Sequence, residues 1–313
     1  MAGDDGREVI RRWNDEGWTG GNFDVAYELI APTTTVHGAG GQQVGMGPEG
    51  FIGLLKAWRT GFPDGRMTID DLMVDGELGM IRNTWIGTHE GDFYGVPPSG
   101  RRVAVTCIGI DRVVDGRVTE GWGELDMVGM MQSIGALALL GPGAVATGRG
   151  SEWGPSRAEP GPGLPAAEQK AMVVDFVSAL SRGDGDALDE MVDPGFVDHN
   201  PVWGTTDLAG MVDSYALLRA AMPDVRFEVE TELVLSEGDQ AAAHSLVTGT
   251  HSGVDLFGAA PKGEPVTWTH TDVVRIAGGR IVERWAAADT MHLFQSIGAV
   301  PALAERDDSI PRG

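Results

Sequence analysis

Two hydrophobic patterns alternate along the chain, and the pair occurs twice. Apolar positions recur at helical spacing over 7–18 and again over 166–181, where Val173, Phe176, Val177 and Leu180 share one face. Short acidic helical segments follow over 23–30 and 186–192, with Asp24 and Asp184 as N-terminal signals. A third helix is predicted over 48–61 and over 206–222, stopped by Pro63 and Pro223. Beyond these prolines the period drops to two. Strands are predicted over 66–74, 78–88, 101–114 and 117–126, and again over 226–235, 240–251, 264–276 and 280–289. Asp75-Gly76, Asp115-Gly116, Glu237-Gly238 and Gly278-Gly279 supply the hairpin turns between them. Helices followed by an antiparallel meander give an α+β fold, with a curved sheet closed over the helices.

The recurrence is a duplication. His37 returns as His199, Phe62-Pro63-Asp64 as Met222-Pro223-Asp224, and Gly87-Thr88-His89 as Gly249-Thr250-His251. Trp122 and Asp126 return as Trp285 and Asp289, and Ser133-Ile134-Gly135-Ala136 repeats verbatim as Ser296-Ile297-Gly298-Ala299. A register held this long marks two whole domains. The expected organisation is a first domain over 1–137, a Gly/Pro-rich linker over 138–165, a second domain over 166–304 and a tail over 305–313.

Composition narrows the partners. With 23 Lys plus Arg against 46 Asp plus Glu, the 313-residue chain has a formal charge of -23. A field of that sign repels nucleic acid and anionic lipid, so neither is expected as a partner. No apolar run reaches the length of a membrane span and the start does not read as a secretory signal, so a cytoplasmic protein is expected. One cysteine, Cys107, excludes an intramolecular disulfide and reads as a strand residue.

The order helix, helix, helix, curved sheet resembles the cone of the nuclear-transport-factor-2-like superfamily. Within it, Gly279-Arg280-Ile281-Val282-Glu283-Arg284-Trp285 running on to Asp289 is similar to the last strand of the SnoaL-like polyketide cyclases. Gly116-Arg117-Val118-Thr119-Glu120-Gly121-Trp122 running on to Asp126 repeats that ending in the first copy. His199-Asn200-Pro201 resembles the family's early His-x-Pro, which the first copy keeps only as His37. The resemblance implies two cone-shaped domains, a role in secondary metabolism and a polyketide-like carbonyl substrate. It also implies that the terminal aspartates, Asp126 and Asp289, are the catalytic acid/base groups. Domains of this fold commonly pair through their sheets, so the fused copies are expected to form an intramolecular pseudo-dimer in a monomeric chain.

The chemistry needs little equipment. Aldol closure removes a proton from a carbon between two carbonyls and returns one to the new alkoxide. One desolvated carboxyl serves both steps, and neither metal nor cofactor is required. Strand parity places Ile281, Glu283, Trp285, Ala287 and Asp289 on one face, and Trp268, His270 and Asp272 on one face of the neighbouring strand. If both faces look into the cone, Asp289 and His270 form an acid–base couple. In the first copy Val118, Glu120, Trp122, Glu124 and Asp126 share a face. Paired carboxylates at Glu124 and Asp126 would instead suit epoxide opening or hydrolysis. His37, His89, His199 and His251 are candidates for substrate contact, with Tyr94, Trp122, Trp203, Trp268 and Trp285 as aromatic walls. Structural roles stand beside each of these. An aspartate between strand and helix is also an N-cap, the tryptophans also suit a core, and Glu120 and Glu283 also suit pairing with arginine. His199, His251, His270 and Asp289 carry zinc-type donors without metal-site spacing, and Gly109 falls near the position of His270 in the first copy, so no metal is expected. A pocket-filled, non-catalytic binding or scaffold module is the reading of a different class.

Overall fold

The computed structural model describes residues 2–137, 163–199 and 207–300. Trp203, Asn200, Pro201, most of the expected linker and the 305–313 tail lie outside the described residues. In the first domain α1 (Ala2–Arg12) continues into a π-helical segment (Trp13–Thr19), followed by α2 (Val25–Leu29), β1 (Ile30–His37), β2 (Gln43–Gly45) and α3 (Gly47–Gly61). A meander follows, β3 (Arg66–Asp75), β4 (Leu78–Thr88), β5 (Arg102–Val114) and β6 (Arg117–Leu125), and α4 (Met127–Ile134) closes the unit. The second domain repeats this as α5 (Ala166–Arg182), α6 (Gly185–Met191), β7 (Val192–Asp198) and α7 (Leu208–Ala221), then β8 (Arg226–Glu237), β9 (Gln240–Thr250), β10 (Pro265–Ala277), β11 (Arg280–Ala288) and α8 (Thr290–Ile297). Among these helices none is long and apolar enough to cross a membrane.

The sheets run β2-β1-β6-β5-β4-β3 and β7-β11-β10-β9-β8, so both domains are α+β cones. The strands β1 and β7, parallel to β6 and β11, do not show in the hydrophobic pattern. Pro32 and Pro194 interrupt their alternation, and strands at or near a sheet edge tolerate proline. The repeated Pro-Asp has a visible purpose. Asp64 accepts from the Thr88 amide at 2.6 Å and its hydroxyl at 2.7 Å, and Asp224 does the same for Thr250 at 2.7 and 2.8 Å. Each aspartate thereby ties the turn after α3 or α7 to the end of the meander's second strand.

Each sheet has two buried faces, and that decides where side chains go. Cys107, Gly109 and Asp111 on β5, with Gly121, Gly123 and Leu125 on β6, look into the first cone. The alternate residues Ile108, Ile110 and Trp122 point away, into a cluster with Leu235, Val273 and Trp285 of the second domain. The two sheets therefore stack back to back, as sheets with one spare apolar face do. The guanidinium of Arg82 lies 4.5 Å from the centre of the Trp285 ring across this interface. Around the rim Arg7 pairs with Glu237 at 2.5 Å and Lys170 with Asp75 at 2.6 Å.

Candidate active site

The first cone encloses a cavity of about 500 Å³, inside the range of small-molecule sites. Its helical wall is aromatic: Trp13 and Trp18 from the π-helical segment, Phe51 and Trp58 from α3, with Trp85 from β4. These rings meet edge to face, Trp18 with Trp85 at 5.9 Å and Trp58 with Trp85 at 5.3 Å, which fixes the wall without filling the space. The opposite wall is the inner face of β5 and β6, where three of the positions are Gly109, Gly121 and Gly123. Their missing side chains are what leaves the cone open. No lysine or arginine lines the cavity among the described residues.

Among the described residues, the one carboxyl lining this cavity belongs to Asp111. In the sheet it stands between Gly79 on β4 and Gly121 on β6, so bare backbone flanks it on both sides. Burial, with no cation to offset it, pushes its carboxyl up to about 7. A carboxylic acid poised near neutrality in an apolar cavity can both take and return a proton. Asn14, Asn83 and His37 add hydrogen-bonding groups to the lining, and Tyr94 borders it. Cys107 also faces it, but burial pushes its thiol up to about 12, which removes it as a nucleophile.

Among the described residues the second cone is crossed by a charged network. In the register that places Trp122 on Trp285, Arg284 stands where the first copy has Gly121, and Asp272 where it has Gly109. His270 takes the place of Cys107, so Gly109, expected near the position of His270, is the counterpart of Asp272 instead. The Arg284 Nε donates to Asp272 at 2.6 Å, Nη1 to Asp198 at 3.2 Å and Nη2 to the Tyr215 hydroxyl at 2.7 Å. His270 lies 3.3 Å from both Asp272 and the Arg284 guanidinium. Although burial opposes ionisation, Arg284 and His270 hold Asp272 down at about 2. Among the described residues a void of about 30 Å³ lies beside this network, room for roughly one water. Trp268 lines that void beside His270.

Trp122 with Glu124 on β6, and Trp285 with Ala287 on β11, share a face as expected, but that face looks outward, and a bulge in each pairing turns Val118 and Ile281 to the helices instead. Ala288, not Ala287 or Asp289, pairs with His270, so the Asp289–His270 couple does not form inside one cone. Glu124 lies between the domains, where its two oxygens take the Thr271 hydroxyl at 2.8 Å and His244 at 3.1 Å. It therefore does not pair with Asp126. Asp126 and Asp289 cap α4 and α8, accepting from Gly129 N at 2.8 Å and His292 N at 3.1 Å. Burial raises Asp289 above the ordinary carboxylate value, against those amide bonds.

The histidines divide in two. His37 stacks on Trp122 at 4.6 Å and lies 2.8 Å from Glu120, which also receives Arg112 at 3.2 Å. His199 repeats the arrangement on Trp285 at 4.9 Å, with Glu283 at 3.3 Å and Arg275 beyond it. Burial lowers His199 below its usual value, opposing the pull of Glu283. His89 and His251 are not rim residues. They are buried under the following loops, His89 against Ser99 at 3.1 Å and His251 against the Val254 carbonyl at 3.1 Å. No cluster of metal-binding side chains forms among the described residues.

The model of SnoaL-like polyketide cyclases matches residues 8–134 and again 171–297. The chain belongs to this family. Solved relatives match one domain's worth of it. A candidate SnoaL-like polyketide cyclase from Jannaschia sp. CCS1 is 29% identical over 44% of this chain and 96% of its own, with a TM-score of 0.40. IdmH of Streptomyces antibioticus, a candidate polyketide cyclase, is 31% identical over 42% and 98%, with a TM-score of 0.38. AclR of Streptomyces galilaeus, a candidate hydroxylase, is 27% identical over 44% and 86%, with a TM-score of 0.40. A search of curated proteins finds no match.

Asp111 is the residue that pattern reading passed over in this SnoaL-like chain. Its signal was present as a lone charge inside Ile108-Gly109-Ile110-Asp111, at a position where the second copy has Val274. The three glycines on the same strand face were the companion signal, because glycine in a strand interior marks a place where something else must fit.

Proposed function

We propose that the first domain is a cyclase of the proton-transfer type, acting on a neutral polyketide-like carbonyl compound with Asp111 as the acid/base. The carrying observation is the Asp111 carboxyl, poised near neutrality in a 500 Å³ aromatic cavity with no cation along its lining. Ionised, it removes a proton from a carbon flanked by two carbonyls. The resulting enolate attacks a third carbonyl carbon, forming the new C–C bond, and the alkoxide takes the proton back from Asp111. Substrate and product are then isomers, and the carboxylate is regenerated. The aromatic wall folds the substrate and excludes water. Asn14 and Asn83 supply the polar contacts that orient it. The second domain, its cone occupied by Arg284, acts as scaffold.

The test is turnover of a panel of polyketone esters in ¹⁸O-water, read by mass spectrometry for the wild type and Asp111→Asn. Product of unchanged mass but new retention, reduced about 10²–10⁴-fold in the variant, is expected for loss of a positioned acid/base. Incorporation of ¹⁸O would mean hydrolysis and overturn the cyclase reading. Undiminished turnover in Asp111→Asn would remove Asp111 from the chemistry.

A further inference from the structure

The wall of the first pocket is formed by the first domain, but the turn that follows its β1 edge rests on the second. The β1 strand brings Val36 beside Gly121 and His37 beside Trp122, and Gly38 follows along the cavity. The chain then makes a tight turn, with Gly41 N donating to the Gly38 carbonyl at 2.9 Å and Gly38 N to the Gln42 carbonyl at 2.8 Å. Those bonds close residues 38–42 into a compact turn. Its tip lies on the second domain. Gly40 N donates to Asp289 Oδ2 at 3.1 Å, while Asp289 Oδ1 accepts from His292 N at 3.1 Å. One carboxylate thus caps α8 and grips the turn. The fit is close, since a Cβ on Gly40 would stand 2.8 Å from His292 Nε2, and one on Gly41 3.1 Å from Leu246 Cδ1. Both glycines have positive φ, 63° and 77°, a conformation that side-chain-bearing residues seldom adopt.

We propose that Asp289 is a positioning residue for the first pocket: from the second domain it fastens the 38–42 turn, and so sets the β1 wall of the substrate cavity. The proposal rests on the reading of the first cone as the substrate site. A charged acceptor on a backbone amide is the stronger kind of hydrogen bond, and it is made across the domain boundary. The second domain therefore shapes the first domain's pocket from outside it.

Amide hydrogen exchange over residues 36–46 of the full chain tests the fastening. Binding of anthrone, a neutral tricyclic ketone, followed through tryptophan quenching, tests its effect on the pocket. Asp289→Ala is expected to speed exchange at 38–42 at least tenfold and to weaken anthrone binding several-fold. Asp289→Asn keeps one acceptor oxygen for the α8 cap and sets an NH2 against Gly40 N, so it is expected to leave α8 capped and still speed exchange at 38–42. Asp184→Ala, which removes the α6 cap in the same domain, leaves exchange and binding unchanged. Should Asp289→Ala not fold, Gly40→Ala carries the test, since its Cβ meets His292 and its positive φ is strained, and it is expected to speed exchange at 38–42 likewise. Unchanged exchange in Asp289→Ala, or equal acceleration in Asp184→Ala, overturns the fastening. Faster exchange with unaltered anthrone affinity overturns the positioning role. Wild type that fails to bind anthrone overturns the substrate-site reading instead, and exchange alone then decides the fastening.

Discussion

Asp111 leans over the bare backbone of Gly121: a Cβ placed there would lie 3.1 Å from the Asp111 Oδ1. That distance is tighter than ordinary van der Waals contact, so Gly121→Ala must displace the carboxyl by a few tenths of an ångström. Turnover is expected to fall about tenfold, the scale at which misplaced catalytic groups lose rate. The fall should appear in kcat rather than in KM, with thermal melting little changed. Steady-state kinetics on the cyclised product check it.

Asp111 also gives stability a pH dependence of a defined sign. Its carboxyl titrates near the ordinary value of 3.8 when the chain is unfolded and near 7 when folded. Between those values the folded state holds a proton that the unfolded state has lost, so stability falls as pH rises from about 4 to 7. Above pH 7 the full cost of burying the carboxylate remains. Asp111→Asn is therefore expected to melt with the wild type at pH 4 and above it at pH 8, while losing activity. Thermal melting at both pH values measures this.

The opposite sign belongs to His244, between the sheets. Burial pulls it down, but Glu124 at 3.1 Å and Glu230 at 2.7 Å outweigh that and push it up to about 9. Its contribution is complete below the unfolded value of 6.5 and is lost as pH rises through 9. Urea midpoints should decline over this window in the wild type and not in a Glu124→Gln/His244→Gln double variant. His244→Ala alone strands Glu124 and should cost about 3–5 kcal/mol at pH 6.

Arg284 offers the test of divided labour. Replacing it by methionine leaves Asp272 and Asp198 buried without their cation, at a cost of about 3–5 kcal/mol. The first pocket makes no use of Arg284, so turnover measured below the new melting temperature should match the wild type. Loss of turnover in a folded Arg284→Met protein would place chemistry in the second cone.

The duplication, the helices and the meander strands were legible because period and turn residues report them directly. Strand parity was legible too: Glu124 and Trp122 do share a face. What parity lacks is an inside and an outside when both faces of a sheet are apolar. The outer face of β6 is as buried as the inner, against Val273 and Trp285 of the other copy, so hydrophobicity gave no sign of direction. Asp111 stayed hidden for a related reason. An isolated charge in an apolar strand reads as a surface position until the glycines beside it are recognised as space.

The contact between Glu124 and His244 has no mirror image. Where symmetry would repeat it stand Ala287 and Arg82, and Arg82 turns to the face of Trp285 instead. Two separate identical subunits must carry every substitution on both sides of their joint, so neither half can surrender its cavity without the other doing likewise. Joining the copies in one polypeptide lifts that constraint. It lets one half keep an open cone with a lone acid while its twin holds an arginine and an aspartate in place of two glycines and becomes its foundation.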